Sequence, residues 1–179
     1  MSPHIACSKL FAAVLLCAAA LVPIFAVAST PDPVKLAIFE FEFEDMSAAA
    51  SAGGIAASDS QHLAEVTSSV RDLFAQSGRY SLVDVDSADA AEVKARSLRK
   101  CDGCDAAIAQ QLGAEQSFVG VVKRITRTEY TVRYQIRDAS TGTVLSSADS
   151  GLRMGADYSW SRGAVRLIKD RLLEKQSQQ

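Results

Sequence analysis

The chain has 179 residues, with 19 Lys and Arg against 21 Asp and Glu, so its formal net charge is −2. A slightly acidic balance argues against binding to nucleic acid, because proteins of that class present an excess of basic residues. The length is sufficient for one domain with its own hydrophobic core and leaves little room for a second.

Residues 1–28 have the features of a secretory signal peptide. Lys9 precedes an apolar run that extends to Val27, and Ala26-Val27-Ala28 is the small-residue pattern of a signal peptidase site. A membrane-spanning helix needs about 20 apolar residues, whereas this run is shorter and is interrupted by Pro23. We therefore predict cleavage after Ala28 and no membrane span in the mature protein.

The mature chain is predicted to be a single domain over residues 29–174, followed by a polar tail over residues 175–179. Lipidation is not expected at Cys17, because a large residue, Leu16, stands where a lipoprotein signal has a small one. The chain contains no asparagine and therefore no glycosylation sequon. Its richness in Ala, Arg, Gly and Asp suits a GC-rich bacterial genome. These features predict a periplasmic bacterial protein.

The first strand of the mature chain is predicted to be a central strand of a sheet. Its first half is apolar on both faces, which is typical of a strand covered by helices on both sides. In a regular strand from Val34 to Phe43, one face would carry Val34, Leu36 and Ile38, and the other Ala37, Phe39, Phe41 and Phe43.

Three glutamates mark the end of this strand. Glu40, Glu42 and Glu44 alternate along it and would point to one side. Since ligands of open α/β sheets bind at the carboxyl ends of strands, these carboxylates are candidates for contact with a cation or a basic partner. The alternative is that they are only solvated. The segment from Met46 to Ser60, rich in Ala, Ser and Gly, is predicted to be a loop in the same contact region.

The remaining pattern predicts four helices and four strands. A long helix should begin at Asp59 or Ser60 and end before Gly78. The other helices are expected at Ala88–Leu98, at Asp105–Leu112 and after Asp157, and the strands at Tyr80–Val85, Ser117–Ile125, Tyr130–Arg137 and Thr143–Leu152. The fold class is therefore α/β (α+β): a three-layer-like domain in the order βαβααβββα, with a mixed sheet and a carboxyl-terminal antiparallel hairpin.

Several residues whose side chains could bind a ligand or act in catalysis have ordinary structural interpretations. Four basic residues of the hairpin region are predicted to form the solvated face of the sheet: Lys123, Arg124, Arg133 and Arg137. Trp160 shares helical spacing with apolar residues and is predicted to pack in the core. His62, in the first turn of the long helix, is expected at the surface or in a capping role, and not as a general base.

Cys101 and Cys104 are the only cysteines of the mature chain. In an oxidising compartment they are predicted to form a disulfide that staples a turn between two helices. The alternative is a redox-active pair with Cys101 as the attacking thiol, since Arg99, Lys100 and a helix start favour a thiolate. However, a helix and not a strand precedes the pair, unlike the thioredoxin type. A metal or partner-linked role is the third possibility, but a zinc site needs four ligands, and His62 is the only histidine available.

Three segments of the mature chain can be compared with known families: Lys35-Leu-Ala-Ile-Phe-Glu-Phe41, Ser97 through Cys101-Asp-Gly-Cys104 to Ala114, and Arg137-Asp-Ala-Ser-Thr-Gly142. They resemble an uncharacterised bacterial family of exported proteins, known as a domain of unknown function. The resemblance covers nearly the whole mature chain. The layout also looks like the TolB amino-terminal, CsgG and LpoB group of envelope domains, which implies an interaction module and not an enzyme.

The sequence therefore favours a non-catalytic interaction or accessory module of the bacterial envelope with one structural disulfide. No nucleophile elbow, phosphate loop, dinucleotide fingerprint or zinc protease motif occurs in it. The expected partner is an envelope protein, and no cofactor or metal is predicted. The alternative function is that of a periplasmic thiol-disulfide protein using Cys101 and Cys104.

Overall fold

The described residues form six strands and three α-helices of one sheet-centred unit. The computed structural model describes residues 32–47, 56–86, 93, 97–126, 128–151 and 159–174. The predicted signal peptide, the tail at 175–179, most of the helix expected at 88–98 and the predicted helix cap Asp157 lie outside these ranges. The elements are β1 (Val34–Ile38), β2 (Glu42–Asp45), α1 (Ala57–Gln76), β3 (Tyr80–Val83), α2 (Cys104–Gln111), β4 (Gln116–Arg124), β5 (Tyr130–Asp138), β6 (Val144–Asp149) and α3 (Trp160–Ile168), which continues as a π-helical turn over Lys169–Leu173.

The sheet is mixed, as predicted. Its order is β3-β1-β4-β5-β6, with β2 also paired to β4. β1 is parallel to both β3 and β4, and β2 is parallel to β4. β4, β5 and β6 form an antiparallel meander, which confirms the predicted carboxyl-terminal hairpin.

Helices cover both faces of the sheet. Connections between parallel strands are right-handed as a rule, and those from β1 to β3 and from β3 to β4 run in opposite directions across the sheet. Their two helices are therefore expected on opposite faces. α1 and α3 lie over one face and bury a large core that includes Val66, Phe74 and Trp160. α2 and the segment before it lie over the other face and bury a smaller core around Phe39, Leu98 and Ala109.

The single strand predicted from Val34 to Phe43 is divided by a bulge. Both halves pair with β4, with Ile38 opposite Phe118 and Glu42 opposite Val121. One extra residue therefore lies between β1 and β2, since four steps along the bulged strand match three along β4. Phe41 and Phe43 consequently join Leu36 in the large core. The prediction that they face the same side as Phe39 is wrong, because the bulge changes the alternation.

Side chains from α1 replace the strand bonds that the bulge disrupts. The backbone N–H of Phe41 donates to Oγ1 of Thr67 at 3.0 Å, and Nη2 of Arg71 donates to the carbonyl of Ile38 at 3.0 Å. Thr67 is itself buried and donates its hydroxyl to the carbonyl of Leu63 at 2.8 Å. The bulge is thus stabilised by Thr67 and Arg71, which lie 26 and 33 positions further along the chain than the residues they bond.

The long helix begins earlier than predicted. α1 starts at Ala57, so residues 57–60 do not belong to a loop, and residues 48–55 of the predicted loop lie outside the described ranges. Asp59 lies in the first turn and makes no capping hydrogen bond there. Its side chain is buried and pairs with Arg124 of β4 instead, which is a long-range contact that local capping patterns do not reveal.

Candidate functional site

Cys101 and Cys104 form a disulfide with Cα atoms 5.7 Å apart, which confirms the predicted pairing. Both cysteines are half-buried and pack against the smaller core. Gly103 between them has φ of 90°, a conformation that glycine adopts without the penalty a side chain would impose. The disulfide therefore closes a tight turn directly before α2.

Glu42 holds the segment that precedes the disulfide. Its carboxylate accepts hydrogen bonds from the backbone N–H groups of Leu98 and Arg99, and from the hydroxyl of Ser97 at 3.0 Å. Nη1 of Arg99 donates to the same carboxylate at 2.7 Å. Both charged side chains are largely buried, at 19% and 17% exposure, so the pair is shielded from solvent screening.

Arg137 holds the disulfide turn from the other side. Its Nη2 donates to Oδ1 of Asp102 at 3.0 Å, and its Nη1 donates to the carbonyl of Gly142 at 2.8 Å. Its Nε lies 3.7 Å from Oδ1 of Asp105, within ion-pair range but too far for a hydrogen bond. Asp105 is buried and accepts the hydroxyl hydrogen of Ser117 at 2.6 Å. The prediction of a solvated Arg137 is therefore wrong.

The helix start favours a different thiol from the predicted one. Cys104 is the first residue of α2, whereas Cys101 precedes it by three residues. A helix N-terminus would therefore stabilise a thiolate at Cys104 after reduction. The carboxylates of Asp102 and Asp105 flank Cys104 in sequence and oppose a negative charge there.

A second polar network lies at the carboxyl ends of β2 and β4. Arg124 donates from Nη1 to Asp45 at 3.2 Å, from Nη2 to both oxygens of Asp59 at 3.0 and 3.1 Å, and from Nε to the hydroxyl of Tyr130 at 3.1 Å. Its guanidinium carbon also lies 4.8 Å from the ring centre of Phe43. The prediction of a solvated Arg124 is wrong, because partners from three other elements, β2, α1 and β5, enclose its side chain.

These contacts shift two pKa values in the directions that favour the charged forms. Burial alone would lower the pKa of Arg124, but the hydrogen bond to Tyr130, the charge of Asp59 and the hydrogen bond to Asp45 raise it above its usual value. The pKa of Asp45 is lowered, mainly by its hydrogen bond from Ser47 and further by Arg124, against a smaller opposing effect of burial. Both shifts therefore favour the charged forms of the Arg124–Asp45 pair.

Trp160 packs in the large core, as predicted. It is fully buried, its ring is stacked with that of Phe43 at a centroid distance of 5.6 Å, and Tyr130 lies 5.2 Å away. His62 meets the Trp160 ring edge-on at 5.8 Å, and its Nδ1 lies 3.3 Å from Oε2 of Glu65. The His62 side chain is 25% exposed, so it lies at the rim of this aromatic cluster.

The three candidate glutamates have different environments. Glu42 bonds to residues 97–99 within the protein. Glu44 pairs with Nζ of Lys123 at 3.1 Å, and both side chains are about 30% exposed. Glu40 lies exposed in the bulge. Glu42 and Glu44 share one face of β2. Their contact with a cation or a partner remains a prediction.

Two exposed apolar side chains adjoin the Arg124 network. Met46 follows β2 and is 60% exposed, and Ile125 follows β4 and is 40% exposed. The backbone N–H of Met46 donates to the carbonyl of Arg124 at 2.8 Å, so the two side chains belong to neighbouring strand ends. Sequence reasoning placed Met46 in a contact loop but missed Ile125, because the pairing of the two strand ends is a long-range property.

Other kinds of site are not formed by the residues that the structure describes. Within the described ranges, no helix has the length and apolar character needed to cross a bilayer. The same ranges contain no group of three or more His, Cys, Asp and Glu side chains placed to hold a metal ion.

Comparison with known families places the chain among proteins without an assigned activity. Residues 34–172 match the family described as "Protein of unknown function (DUF2380)". This match covers most of the chain, so the protein belongs to that family. Comparison with curated protein sequences gave no significant match.

Solved structures are similar to this chain at low sequence identity. The LpoB C-terminal domain from Salmonella enterica has a TM-score of 0.50 at 17% identity, over 71% of this chain and 87% of that one. Lipoprotein GNA1162 from Neisseria meningitidis has a TM-score of 0.44 at 11% identity, over 70% and 84%. TolB from Acinetobacter baumannii has a TM-score of 0.38 at 18% identity, over 75% and 27%. The similarity to the LpoB domain confirms the fold relationship predicted from the sequence.

Proposed function

We propose that this protein is a non-catalytic interaction module of the bacterial envelope, exported to the periplasm and acting as a single domain over residues 29–174. The observation that carries the proposal is the pair of exposed apolar side chains, Met46 and Ile125, at the carboxyl ends of two parallel strands. Exposed apolar groups on a polar rim are typical of protein contact surfaces. The predicted signal peptide and the resemblance to envelope domains support the location.

The Arg124 network gives this surface a rigid base. Arg124 ties β2, α1, β4 and β5 together at the strand ends that Met46 and Ile125 follow. A surface with a fixed backbone loses little conformational entropy on binding. Glu40 is exposed near the same strand and adds negative charge, whereas Lys123 balances the charge of Glu44, so a partner with an apolar centre and a basic residue beside it fits best.

The disulfide has a structural role in this proposal. Glu42 and Arg137 hold its turn from two sides, and α2 begins at Cys104. Replacing both cysteines by serine should lower the thermal stability but leave partner binding by the folded fraction intact. A structural disulfide should also have a reduction potential below about −300 mV. Unchanged stability with lost binding would contradict the structural role.

Site-specific photo-cross-linking in intact cells tests the contact surface. A photoreactive residue is placed at Met46 or at Ile125, and in a control at Ser81, which is exposed on the edge strand β3. Cross-links to one discrete envelope protein from positions 46 and 125, but not from 81, are expected. Equal cross-linking from all three positions, or none from 46 and 125, would overturn the proposal.

A further inference from the structure

We propose that β6 is a docking edge for an extended segment of a partner polypeptide, which adds to the sheet as a further strand. β6 lies at the end of the sheet order, beside β5 only. Its side chains are mostly exposed, including Val144 at 41% and Leu145 at 51%. This surface shares no residue with the Met46–Ile125 surface, so the inference stands independently of the proposed function.

The backbone of β6 presents unpaired hydrogen-bonding groups. Ser150 donates its N–H to the carbonyl of Val132 at 2.8 Å, and hydrogen-bonded pairs recur at every second residue of an antiparallel ladder. Ala148 and Ser146 therefore face β5, opposite Tyr134 and Ile136. The N–H and C=O groups of Ser147 and Asp149 point away from the sheet, and both residues are exposed. Within the described part of the chain no strand pairs with this side of β6, so four backbone groups can bond to an added strand.

The edge lacks most of the features that protect edge strands. Residues 143–148 contain no charge and no proline, whereas exposed edges are normally blocked by such residues. A bulge is present, because Ile136 pairs with Ser146 and Arg137 with Val144, which leaves Leu145 as the extra residue. The regular portion from Ser146 to Asp149 remains open, and the small side chains within it allow close approach of another backbone.

Charge along one row of the sheet indicates the chemistry of the added strand. Glu42, Val121, Arg133 and Asp149 lie opposite one another on β2, β4, β5 and β6. The charges in this row alternate between negative and positive from Glu42 through Arg133 to Asp149. A basic residue opposite Asp149 would continue the alternation, because oppositely charged cross-strand pairs are favourable. An apolar residue near Leu145 would cover the exposed side chains at the other end of β6.

A second copy of this chain fits the edge less well. An antiparallel pair of β6 strands centred on Ser147 places Asp149 opposite Leu145 of the other copy, which leaves the carboxylate against an apolar side chain. The contact would involve only five residues of each strand. The surface area that it buries would be far below the roughly 1,000 Å² of a stable protein interface. A peptide strand instead obtains its affinity from main-chain hydrogen bonds. The occupant is therefore a partner segment with a basic residue and an apolar residue about four positions apart.

Panning a displayed library of seven-residue peptides against the exported protein tests this assignment. Ser147→Pro removes an outward N–H at a position where an edge strand tolerates proline, and Ser147→Ala keeps that N–H. Enriched peptides should combine a basic and an apolar residue, and binding to Ser147→Pro should be about tenfold weaker than to Ser147→Ala. Amide hydrogen exchange at positions 147 and 149 should slow when the peptide binds.

Asp149→Lys provides a second test if circular dichroism shows that Ser147→Pro does not fold. This variant should select acidic residues in place of basic ones. No enrichment, equal binding to the two Ser147 variants, or unchanged selection by Asp149→Lys would overturn the proposal. Concentration-dependent dimerisation with protected 147 and 149 amides would also overturn it, by assigning the edge to a second copy.

Discussion

The ring of Phe41 lies directly against the Cα of Gly120, so that a Cβ at position 120 would overlap the ring. Gly120 is in β4, beside the bulge that separates β1 from β2. Close approach of another group is one of the reasons for a glycine inside a strand. The bulge and this glycine are therefore parts of one arrangement.

Gly120→Ala should destabilise the protein by about 1–3 kcal/mol, because the added methyl group forces the Phe41 ring out of its packed position. Chemical denaturation measures the free energy of unfolding. In a Phe41→Leu background the same substitution should cost less, since the ring is no longer there. An equal cost in both backgrounds would show that the overlap is not the cause.

Asp59→Asn should destabilise the protein by about 1–3 kcal/mol, since Arg124 would keep its partly buried charge without its buried partner. Asp45→Asn is the matched control. Asp45 is 23% exposed compared with 4% for Asp59, so its loss should cost less than about 1 kcal/mol. Urea denaturation of the two variants gives the ranking, and the reverse order would contradict the assignment of Asp59 as the main counter-ion.

Glu42→Gln should destabilise the protein by about 1–3 kcal/mol, because the carboxylate accepts bonds from Ser97, Leu98 and Arg99. Hydrogen exchange should become faster at the amides of Leu98 and Arg99. Glu44→Gln removes one partly exposed ion pair with Lys123 and should cost less than about 1 kcal/mol. Exchange at residues 98 and 99 that is unchanged in Glu42→Gln would contradict this role.

Asp138 should contribute to acid unfolding. Its Oδ1 accepts hydrogen bonds from the hydroxyl and N–H groups of Ser140 and Thr141, and these bonds lower the pKa of Asp138. A carboxyl group with a lowered folded-state pKa stabilises the protein above its unfolded pKa of about 3.9, and this stabilisation is lost as the pH falls. The stability difference between the wild type and Asp138→Asn should therefore be largest at neutral pH and should vanish near pH 2. Thermal melts across this range measure it, and a constant difference would contradict the argument.

Local sequence patterns were sufficient to predict most of the secondary structure. Alternation in β5, helical spacing in α1 and the turn before β6 each depend on neighbouring residues, and the structure has these elements close to the predicted positions. The disulfide was also predictable, because Cys101 and Cys104 have no other cysteine to pair with in the mature chain.

Long-range contacts were not predictable from local patterns. The bulge depends on Thr67 and Arg71 from α1, and the burial of Arg124 depends on Asp59, 65 residues away along the chain. Arg137 has the alternation expected of a solvated residue, but α2 brings Asp105 against it. In each case a charged or polar side chain is buried because a distant residue satisfies it, and a single sequence does not reveal that partner.

The bulge between β1 and β2 also marks the place where this strand can lose a residue. Deleting Glu40 alone would remove the extra residue, so that three steps from Ile38 to Glu42 would match three along β4. Phe41 and Phe43 would keep their places in the large core, because regular alternation after Phe39 puts them on that face. A deletion within β2 would instead turn every later residue of the strand to the opposite face. In related genes, single-residue deletions should therefore occur between Ile38 and Glu42 more often than within β2.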